Sequence, residues 1–277
     1  MSVLSLTGAI WIGALVAGFL GSLTGLGGGV VIVPLLTLGF GADIRYAIGA
    51  SLISVIATSS GAAIAYVREG FTNIRVGMLL EIATTLGASL GALLATVVAP
   101  RVIAVVFGLV LLCSVYRSGR ERAPSGHQPP DPLAARLRLH GTYPGPEGLR
   151  SYQVRRVPLG FGLMAIAGVL SGLLGIGSGA MKVLAMDQAM GIPFKVSTTT
   201  SNFMIGVTAA ASAGIYLNRG YIDPGLAWPT MLGVLVGSLL GARMLGEAKT
   251  RVLRVVFTVV VFALGLEMIY NGLSGRI

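Results

Sequence analysis

Two glycine clusters contain the residues best suited to binding an anion. The clusters are Gly25-x-Gly27-Gly28-Gly29 and Gly175-x-Gly177-Ser178-Gly179. Glycine lets the backbone leave the helical conformation and brings its N–H groups close to a ligand. A helix that begins after such a bend presents unpaired N–H groups and the positive end of its dipole. The pattern favours two anion-binding helix ends; tight helix packing through small residues is the alternative.

A run of small hydrogen-bonding side chains follows the second cluster. It comprises Thr199, Thr200, Ser201 and Asn202, and Ser51 aligns with Ser201 in the first half. Hydroxyl and amide groups can bind an oxyanion without a permanent counter-charge, so these residues are candidate ligands of the same anion. Helix capping and hydrogen bonding between helices explain the run equally well.

Four ionisable residues fall inside apolar segments: Glu81, Lys182, Asp187 and Glu267. Charged groups are costly in lipid and usually face a cavity or a partner. Lys182 lies three residues beyond the second cluster, where its charge would strengthen an anion site, or it pairs with Asp187. Glu81 and Asp187 are candidates for proton coupling, Glu81 the better one. Glu267 is near a helix end and is expected to reach water.

The elements that carry these residues are duplicated. Residues 18–92 align without a gap to residues 168–242, with 17 identities over 75 positions. Internal self-similarity at a fixed offset indicates a repeat architecture. Duplicated apolar segments interrupted by glycine indicate a transporter with its substrate site between the repeats.

The composition is that of an all-α polytopic membrane protein. Hydrophobic residues make up 54% of the chain and charged residues 11%, with a mean hydropathy of +0.85. Soluble domains carry about 25% charged residues. The apolar segments have helical length, five in each half, and most reach the ~20 residues that span a bilayer. The second segment of each half, 30–44 and 180–192, is too short and is either a broken helix or a re-entrant hairpin.

The net charge of +10 reflects arginines that flank apolar segments, which is a topology signal. Nucleic-acid binding, the other reading of a basic chain, is disfavoured for that reason. The single cysteine, Cys113, excludes an internal disulfide and a multi-cysteine metal site. We expect neither a metal nor a cofactor.

We divide the chain into a first membrane repeat (1–117), a linker (118–157) and a second membrane repeat (158–277). The linker is rich in proline and arginine, contains both histidines, His127 and His140, and is expected to be cytoplasmic. Alternating residues over 136–143 and 151–156, around a Pro/Gly turn, predict a small β-hairpin. A disordered tether is the alternative.

The positive charges also favour one orientation of the repeats. If the short segments count as crossings, the second repeat is inverted relative to the first, with both termini outside. The basic residues then inside are Arg68, Arg75, Lys195, Arg243, Lys249, Arg251 and Arg254. If the short segments are re-entrant, the repeats are parallel and the last four of these fall outside, against the positive-inside rule.

The motif from Gly25 to Pro34 (GLGGGVVIVP), the later Ala47 to Ser51 (AIGAS), and their echoes in the second half resemble the sulfite exporter TauE/SafE family of bacterial membrane proteins. The resemblance covers nearly the whole chain except the linker. It implies transport of anionic sulfur compounds, such as sulfite, thiosulfate or sulfonates, across the bacterial cytoplasmic membrane. Ser178 replaces the family's third glycine, and Leu184 stands where the motif proline would be.

These features predict a secondary transporter, not an enzyme. A passive anion channel with the same site is the alternative. The spacing from Gly175 to Lys182 does not match a nucleotide-binding P-loop. A hydrolase with Ser178 as nucleophile is disfavoured, because both histidines lie in the linker and only Lys182 is local.

Overall fold

A computed structural model describes residues 3–24, 28–68, 70–118, 131–145, 148–244 and 250–275. This part of the chain is almost entirely α-helical, as the composition predicts. The long helices of the first half are α1 (Val3–Thr24), α3 (Ile44–Arg68), α4 (Ile74–Val97) and α5 (Pro100–Ser118). Those of the second half are α7 (Val157–Leu174), α9 (Phe194–Asn218), α10 (Pro224–Met244) and α11 (Thr250–Ser274).

The short second segment of each half is a helix that continues into a π-helical turn. These segments are α2 (Gly29–Pro34) with Leu35–Gly39, and α8 (Gly179–Leu184) with Ala185–Ala189. Their bounds differ by 150 residues. Eleven residues at about 1.5 Å each give about 16 Å, roughly half of a hydrocarbon core. Each short segment therefore covers only part of the membrane thickness.

The segment after α8 returns to the side of the molecule on which α7 begins. The backbone N–H of Arg155, just before α7, donates to the carbonyl of Met190 at 2.9 Å. Gly160, in the first turn of α7, faces the Met190 side chain. Helices α7 and α8 thus form a helical hairpin whose closed end is the second glycine cluster, residues 175–178.

Among the described residues, α4 and α7 are long and apolar enough to cross a membrane by length and composition. One face of α4 exposes a row of large apolar side chains at i, i+4 spacing: Met78, Ile82, Leu86 and Leu90. A helix whose outer face is apolar as well as its inner face suits a lipid environment.

The two halves pack through reciprocal helix pairs, α1 against α10 and α4 against α7. The contacts lie at glycines, where a side chain would strike a backbone carbonyl. A Cβ on Gly18 would lie 2.5 Å from the Val234 oxygen, and a Cβ on Gly168 would meet the Thr84 oxygen. Small residues let helix backbones approach this closely in membranes. At these positions the packing interpretation of glycine applies.

The linker forms a small structured unit against the membrane helices. It contains a short helix, α6 (Pro132–Arg136), and two strands, β1 (Gly141–Gly145) and β2 (Gly148–Tyr152). The strands pair antiparallel, with Gly141 opposite Tyr152 and Gly145 opposite Gly148. Ala134, Leu139 and Val154 are buried in one hydrophobic core with residues of α4, α7 and α9.

The two strands overlap the segments that alternation predicts at residues 141–143 and 151–152 only. Arg136 ends α6, and residues 137–139 form the turn and the connection that follow it, so none of these residues enters a strand. Asp131 caps this helix by accepting a hydrogen bond from the N–H of Leu133 at 2.9 Å, and Pro132 occupies its first turn. A helix start with an Asp cap and an early proline is strongly favoured, so local capping overrides the alternating pattern.

Gly168→Ala and Gly162→Ala are a matched pair in α7. The first places a methyl group against the Thr84 carbonyl, whereas the second has nothing within 4 Å of the added Cβ. We expect Gly168→Ala to destabilise the protein by about 1–3 kcal/mol through overpacking. Gly162→Ala should be neutral or stabilising by up to about 1 kcal/mol, because alanine favours helix. Thermal unfolding of the detergent-purified variants measures both; equal melting temperatures would contradict the packing assigned to Gly168.

Candidate functional site

The second glycine cluster lies at the closed end of the α7–α8 hairpin in a conformation that favours glycine. Gly175 and Gly177 have φ of +67° and +68°, and Ser178 has φ of +47°. Left-handed backbone at these positions ends α7 and turns the chain into α8. Of the first cluster, Gly28 and Gly29 are buried at the start of α2, whereas Gly25 and Gly27 lie outside the described residues.

The two clusters meet at the start of α2. A Cβ on Gly29 would lie 2.8 Å from Ser51 Oγ and 3.2 Å from the carbonyl oxygen of Gly175. Ser51 Oγ donates a hydrogen bond of 2.8 Å to that same carbonyl. Ser51, from α3 of the first half, thus fixes the closed end of a hairpin from the second half.

Ser201 fixes the other side of the cluster. Its Oγ donates to the carbonyl of Gly179 at 3.2 Å. Ser51 and Ser201, aligned in the duplication, therefore bind opposite ends of the same glycine cluster. Both act on its carbonyl oxygens and are buried. The backbone bend between Gly175 and Gly179 is thereby supported by one hydroxyl from each half.

The Ser178 side chain is the unusual group within this bend. Ser178 is 2% exposed, and its Oγ has no hydrogen-bond partner among the described residues. It precedes α8 at the N-cap position but makes no side-chain cap. Burying an unpaired hydroxyl costs about 1–3 kcal/mol, so native proteins seldom leave one without a reason. This hydroxyl is available to a ligand at the start of α8.

The remaining residues of the hydroxyl run have structural contacts of their own. Thr199 donates to carbonyls of its own helix, at Lys195 and Val196. Thr200 Oγ1 accepts a 3.0 Å hydrogen bond from the N–H of Asn73 in the loop before α4. Asn202 is partly buried in α9. The structure thus places Ser201 at the glycine cluster and Thr200 at a contact with the linker side of the molecule.

Lys182 lies in a buried polar cluster that joins three helices. The side chain is 0% exposed, and its Nζ donates to Thr208 Oγ1 of α9 at 2.5 Å. The same Nζ lies 3.8 Å from Glu81 Oε2 of α4. Glu81 Oε1 accepts hydrogen bonds from Thr208 at 2.6 Å and from Thr85 at 3.1 Å. A buried ammonium thus has a carboxylate and a hydroxyl beside it, as buried charges require.

Thr208 and Thr85 are absent from the residues that sequence reasoning selects. Thr85 could have been found, because it lies one helical turn after Glu81 on the same face. Thr208 could not, since it is 127 positions from Glu81 and only helix packing brings them together. Asp187, the other acidic candidate, is buried in the π-helical turn that follows α8.

The duplication does not repeat the charges of the polar cluster. The positions aligned with Lys182, Glu81 and Thr208 are Ile32, Met231 and Thr58. Ile32 is fully buried in an apolar core, and Thr58 Oγ1 donates only to carbonyls of its own helix among the described residues. The glycine contacts thus occur at aligned positions of both halves, whereas the buried charges occur in one of the two sets of aligned positions.

Asn73 connects the linker to the helix that carries the hydroxyl run. Its side-chain amide donates to the Leu139 carbonyl at 2.9 Å and to the Tyr152 hydroxyl at 2.7 Å. Burial raises the pKa of the Tyr152 phenol, and the hydrogen bond from Asn73 partly opposes that shift. The phenol therefore stays neutral where the hairpin meets the membrane helices.

Basic residues anchor the joints after the two short segments. Arg45 donates to the carbonyls of Ala95 and Val98 at 3.1 and 3.0 Å, and it lies over the Tyr221 ring at 5.6 Å. Lys195 lies 4.0 Å above the ring of Phe71. In the described part of the chain, no group of three His, Cys, Asp or Glu side chains is placed to hold a metal ion.

Comparison with known proteins shows which proteins this chain resembles. The family model for the sulfite exporter TauE/SafE matches residues 10–268. The probable membrane transporter protein YunE of Bacillus subtilis (strain 168) is 28% identical over 267 residues, which cover 94% of this chain and 96% of that protein. A probable membrane transporter protein of Xylella fastidiosa (strain 9a5c) is 26% identical over 275 residues, 98% and 97% of the two chains. No solved structure gives a significant match.

Ser178→Ala and Ser51→Ala should have opposite effects on the ligand-free protein. Removing the unpartnered Ser178 hydroxyl should leave the melting temperature unchanged or raise it. Removing Ser51 Oγ leaves the buried Gly175 carbonyl without this donor and should cost about 1–3 kcal/mol. Thermal unfolding in detergent without added anion measures both. A larger loss for Ser178→Ala than for Ser51→Ala would mean that the Ser178 hydroxyl is already satisfied.

Proposed function

Because the chain belongs to the sulfite exporter TauE/SafE family, we propose that it is a secondary transporter for a small sulfur-containing oxyanion or organosulfonate. The chain is a multi-pass membrane protein by its relatives. We place it in the bacterial cytoplasmic membrane, with the linker on the cytoplasmic side. Energy would come from an ion gradient or the membrane potential.

The observation that carries the proposal is the meeting of the two glycine clusters at buried helix starts. The segments that begin at Gly29 and Gly179 direct backbone N–H groups toward their own starts, where an anion is favoured. Ser178 adds a hydroxyl that has no hydrogen-bond partner in the described structure, and Lys182, in α8, supplies a positive charge. An oxyanion has several acceptor oxygens and can use donors from both halves at once.

The proposed substrate site comprises both clusters and the polar residues around them. Its members are Gly25, Gly27, Gly28, Gly29, Ser51, Gly175, Gly177, Ser178, Gly179, Lys182, Thr199, Thr200, Ser201 and Asn202. Ser178, Lys182 and the N–H groups at the helix starts would contact the anion directly. Ser51 and Ser201 would hold the bend in place through its carbonyls. Glu81 and Asp187 are the candidates for proton coupling.

The buried state of the site favours a carrier over the passive channel. Gly28, Gly29, Ser178 and Lys182 are all buried. An open channel needs a continuous aqueous path past its binding groups, whereas a carrier passes through a state in which the site is closed to both sides. Rocking of one repeat against the other would then expose the anion alternately.

We also propose that the two repeats are inverted. The joint after α8 lies beside the linker through the Arg155–Met190 hydrogen bond. Lys195 in this joint contacts Phe71 of the α3–α4 loop, whose ring lies 6.5 Å from that of Tyr143 in the linker hairpin. Arg45, after the first short segment, lies beside Tyr221 at the far end of α9. Inverted repeats put each of these pairs on one side of the membrane. Parallel repeats would put Lys195 opposite the linker.

Anion binding should stabilise the protein, and Gly177→Leu should abolish this effect. Ligand at about 100 times its Kd stabilises the folded state by about 2.7 kcal/mol. Leucine at residue 177 must adopt φ near +68°, and its Cβ would lie 2.9 Å from Ile205. The measurement is thermal shift with sulfite, thiosulfate and methanesulfonate, followed by uptake into proteoliposomes. Gly162→Leu, on an open face of α7, is the control. Normal uptake by Gly177→Leu would refute the helix-end site.

Single cysteines test the inverted arrangement. In a Cys113→Ala background, Lys195→Cys and Ser151→Cys should react with a membrane-impermeant maleimide from the same side, and Arg219→Cys from the other. All three native side chains are exposed. Labelling intact cells and inverted vesicles in parallel gives the side for each position. Reaction of Lys195→Cys and Ser151→Cys from opposite sides would refute the inversion.

A further inference from the structure

We propose that Glu81 and the transported anion compete for the Lys182 ammonium, so that each anion is bound together with one proton on Glu81. The inference rests on the proposed function, which places Lys182 in the anion site. It selects Glu81 from the two candidates for proton coupling, and it adds the competition for Lys182 as the reason for the coupling.

The charges of the buried cluster set the requirement. Lys182 is fully buried and Glu81 is 12% exposed, so the resting pair is close to neutral and poorly solvated. A monoanion added to this pair would leave one uncompensated negative charge at membrane depth, which is strongly unfavourable. Protonation of Glu81 restores neutrality, because Lys182 then balances the anion alone. Proton and anion therefore bind together.

Within the described part of the chain, no charged group other than Lys182 is placed to balance Glu81. Glu81 lies on α4, which packs against α7 and α9. Helix α7 has no ionisable side chain, and α9 has Lys195 in its first turn, beside Phe71, and Tyr216 near its end. The α8 segment contributes Lys182 and, five residues later, Asp187. Lys182 is the charge within ion-pairing distance of Glu81 among the described residues.

The hydrogen bonds of Glu81 leave one oxygen for the proton. Oε1 accepts from Thr208 and Thr85, and a protonated carboxyl can keep both bonds through that oxygen. Oε2 is buried, faces Lys182 and has no hydrogen-bond partner in the described structure. A proton on Oε2 would turn the carboxyl from a partner of Lys182 into a neutral neighbour. Lys182 is then free for the anion.

Thr208 is the positioning residue of this exchange. Its hydroxyl accepts from Lys182 and donates to Glu81, and the carbonyl of Met204 at 3.1 Å is a second acceptor for it. The hydroxyl therefore keeps the ammonium beside the carboxylate in the resting state. When Glu81 is protonated, the Met204 carbonyl can accept the hydroxyl proton in its place. Thr208 thus links the two groups without carrying charge itself.

The test measures how anion binding depends on pH. Radiolabelled methanesulfonate is the probe, because it stays a monoanion near neutral pH, whereas sulfite titrates there itself. For the wild-type protein, apparent affinity should fall by up to about tenfold for each pH unit of increase while Glu81 is ionised. An inward proton gradient should drive accumulation into proteoliposomes. Glu81→Gln should bind and exchange the probe with no pH slope and no response to the gradient.

Thr208→Val and Thr58→Val separate coupling from general stability. Both replace a threonine at aligned positions, but only Thr208 touches Lys182 and Glu81. Thr208→Val should shift the pH profile of binding, and Thr58→Val should not. Wild-type exchange without a pH slope, or Glu81→Gln that still follows the gradient, would overturn this inference and leave the proposed function standing. Wild-type protein without saturable exchange of methanesulfonate, thiosulfate or sulfite would overturn both.

Discussion

Close approach of helix backbones at glycine determines where the candidate site can form. Gly18 and Gly168 leave room for a carbonyl of the opposite half, and a single added methyl group would collide with it. This contact brings α1 against α10 and α4 against α7. The closed end of the α7–α8 hairpin then reaches the start of α2, where Gly29 and Gly175 adjoin. The hydrophobic effect does not drive helices together inside a membrane, so their association depends on close van der Waals packing of this kind.

The two halves differ in charge at aligned positions, although their glycine contacts are reciprocal. Lys182 and Glu81 align with Ile32 and Met231, which carry no charge, whereas Thr208 aligns with Thr58. A buried ammonium is tolerated only with a partner, and α4 supplies one from the first half. The ion pair therefore ties the halves together on one side only. Because of this asymmetry, the charge of the proposed site depends on one carboxyl group.

The linker packs against the helices that carry the candidate site. Its hydrophobic residues share a core with α4, α7 and α9, and Asn73 bonds both the hairpin and Thr200. Movement of α9 relative to α4 would therefore strain or break the hydrogen bonds that Asn73 makes to the linker. Arg45 and Lys195, each the second residue of its helix (α3 and α9), stabilise the joints before these helices through carbonyl and aromatic contacts. The joints are thus held by side-chain contacts, whereas the glycine bends lie in the interior of the protein.

The sequence alone determines the helical class, the short second segments, the glycine clusters and the family, because these follow from local composition and spacing. It also contains the signals for α6, whose Asp131 cap and Pro132 act over two residues. Tertiary structure decides which side chains meet. Ser51 donates to Gly175, which is 124 positions away. Thr208 of α9 connects Lys182 of α8 to Glu81 of α4. Periodicity shows which face of a helix is apolar but not which helix will cover it, so contacts between distant segments depend on packing.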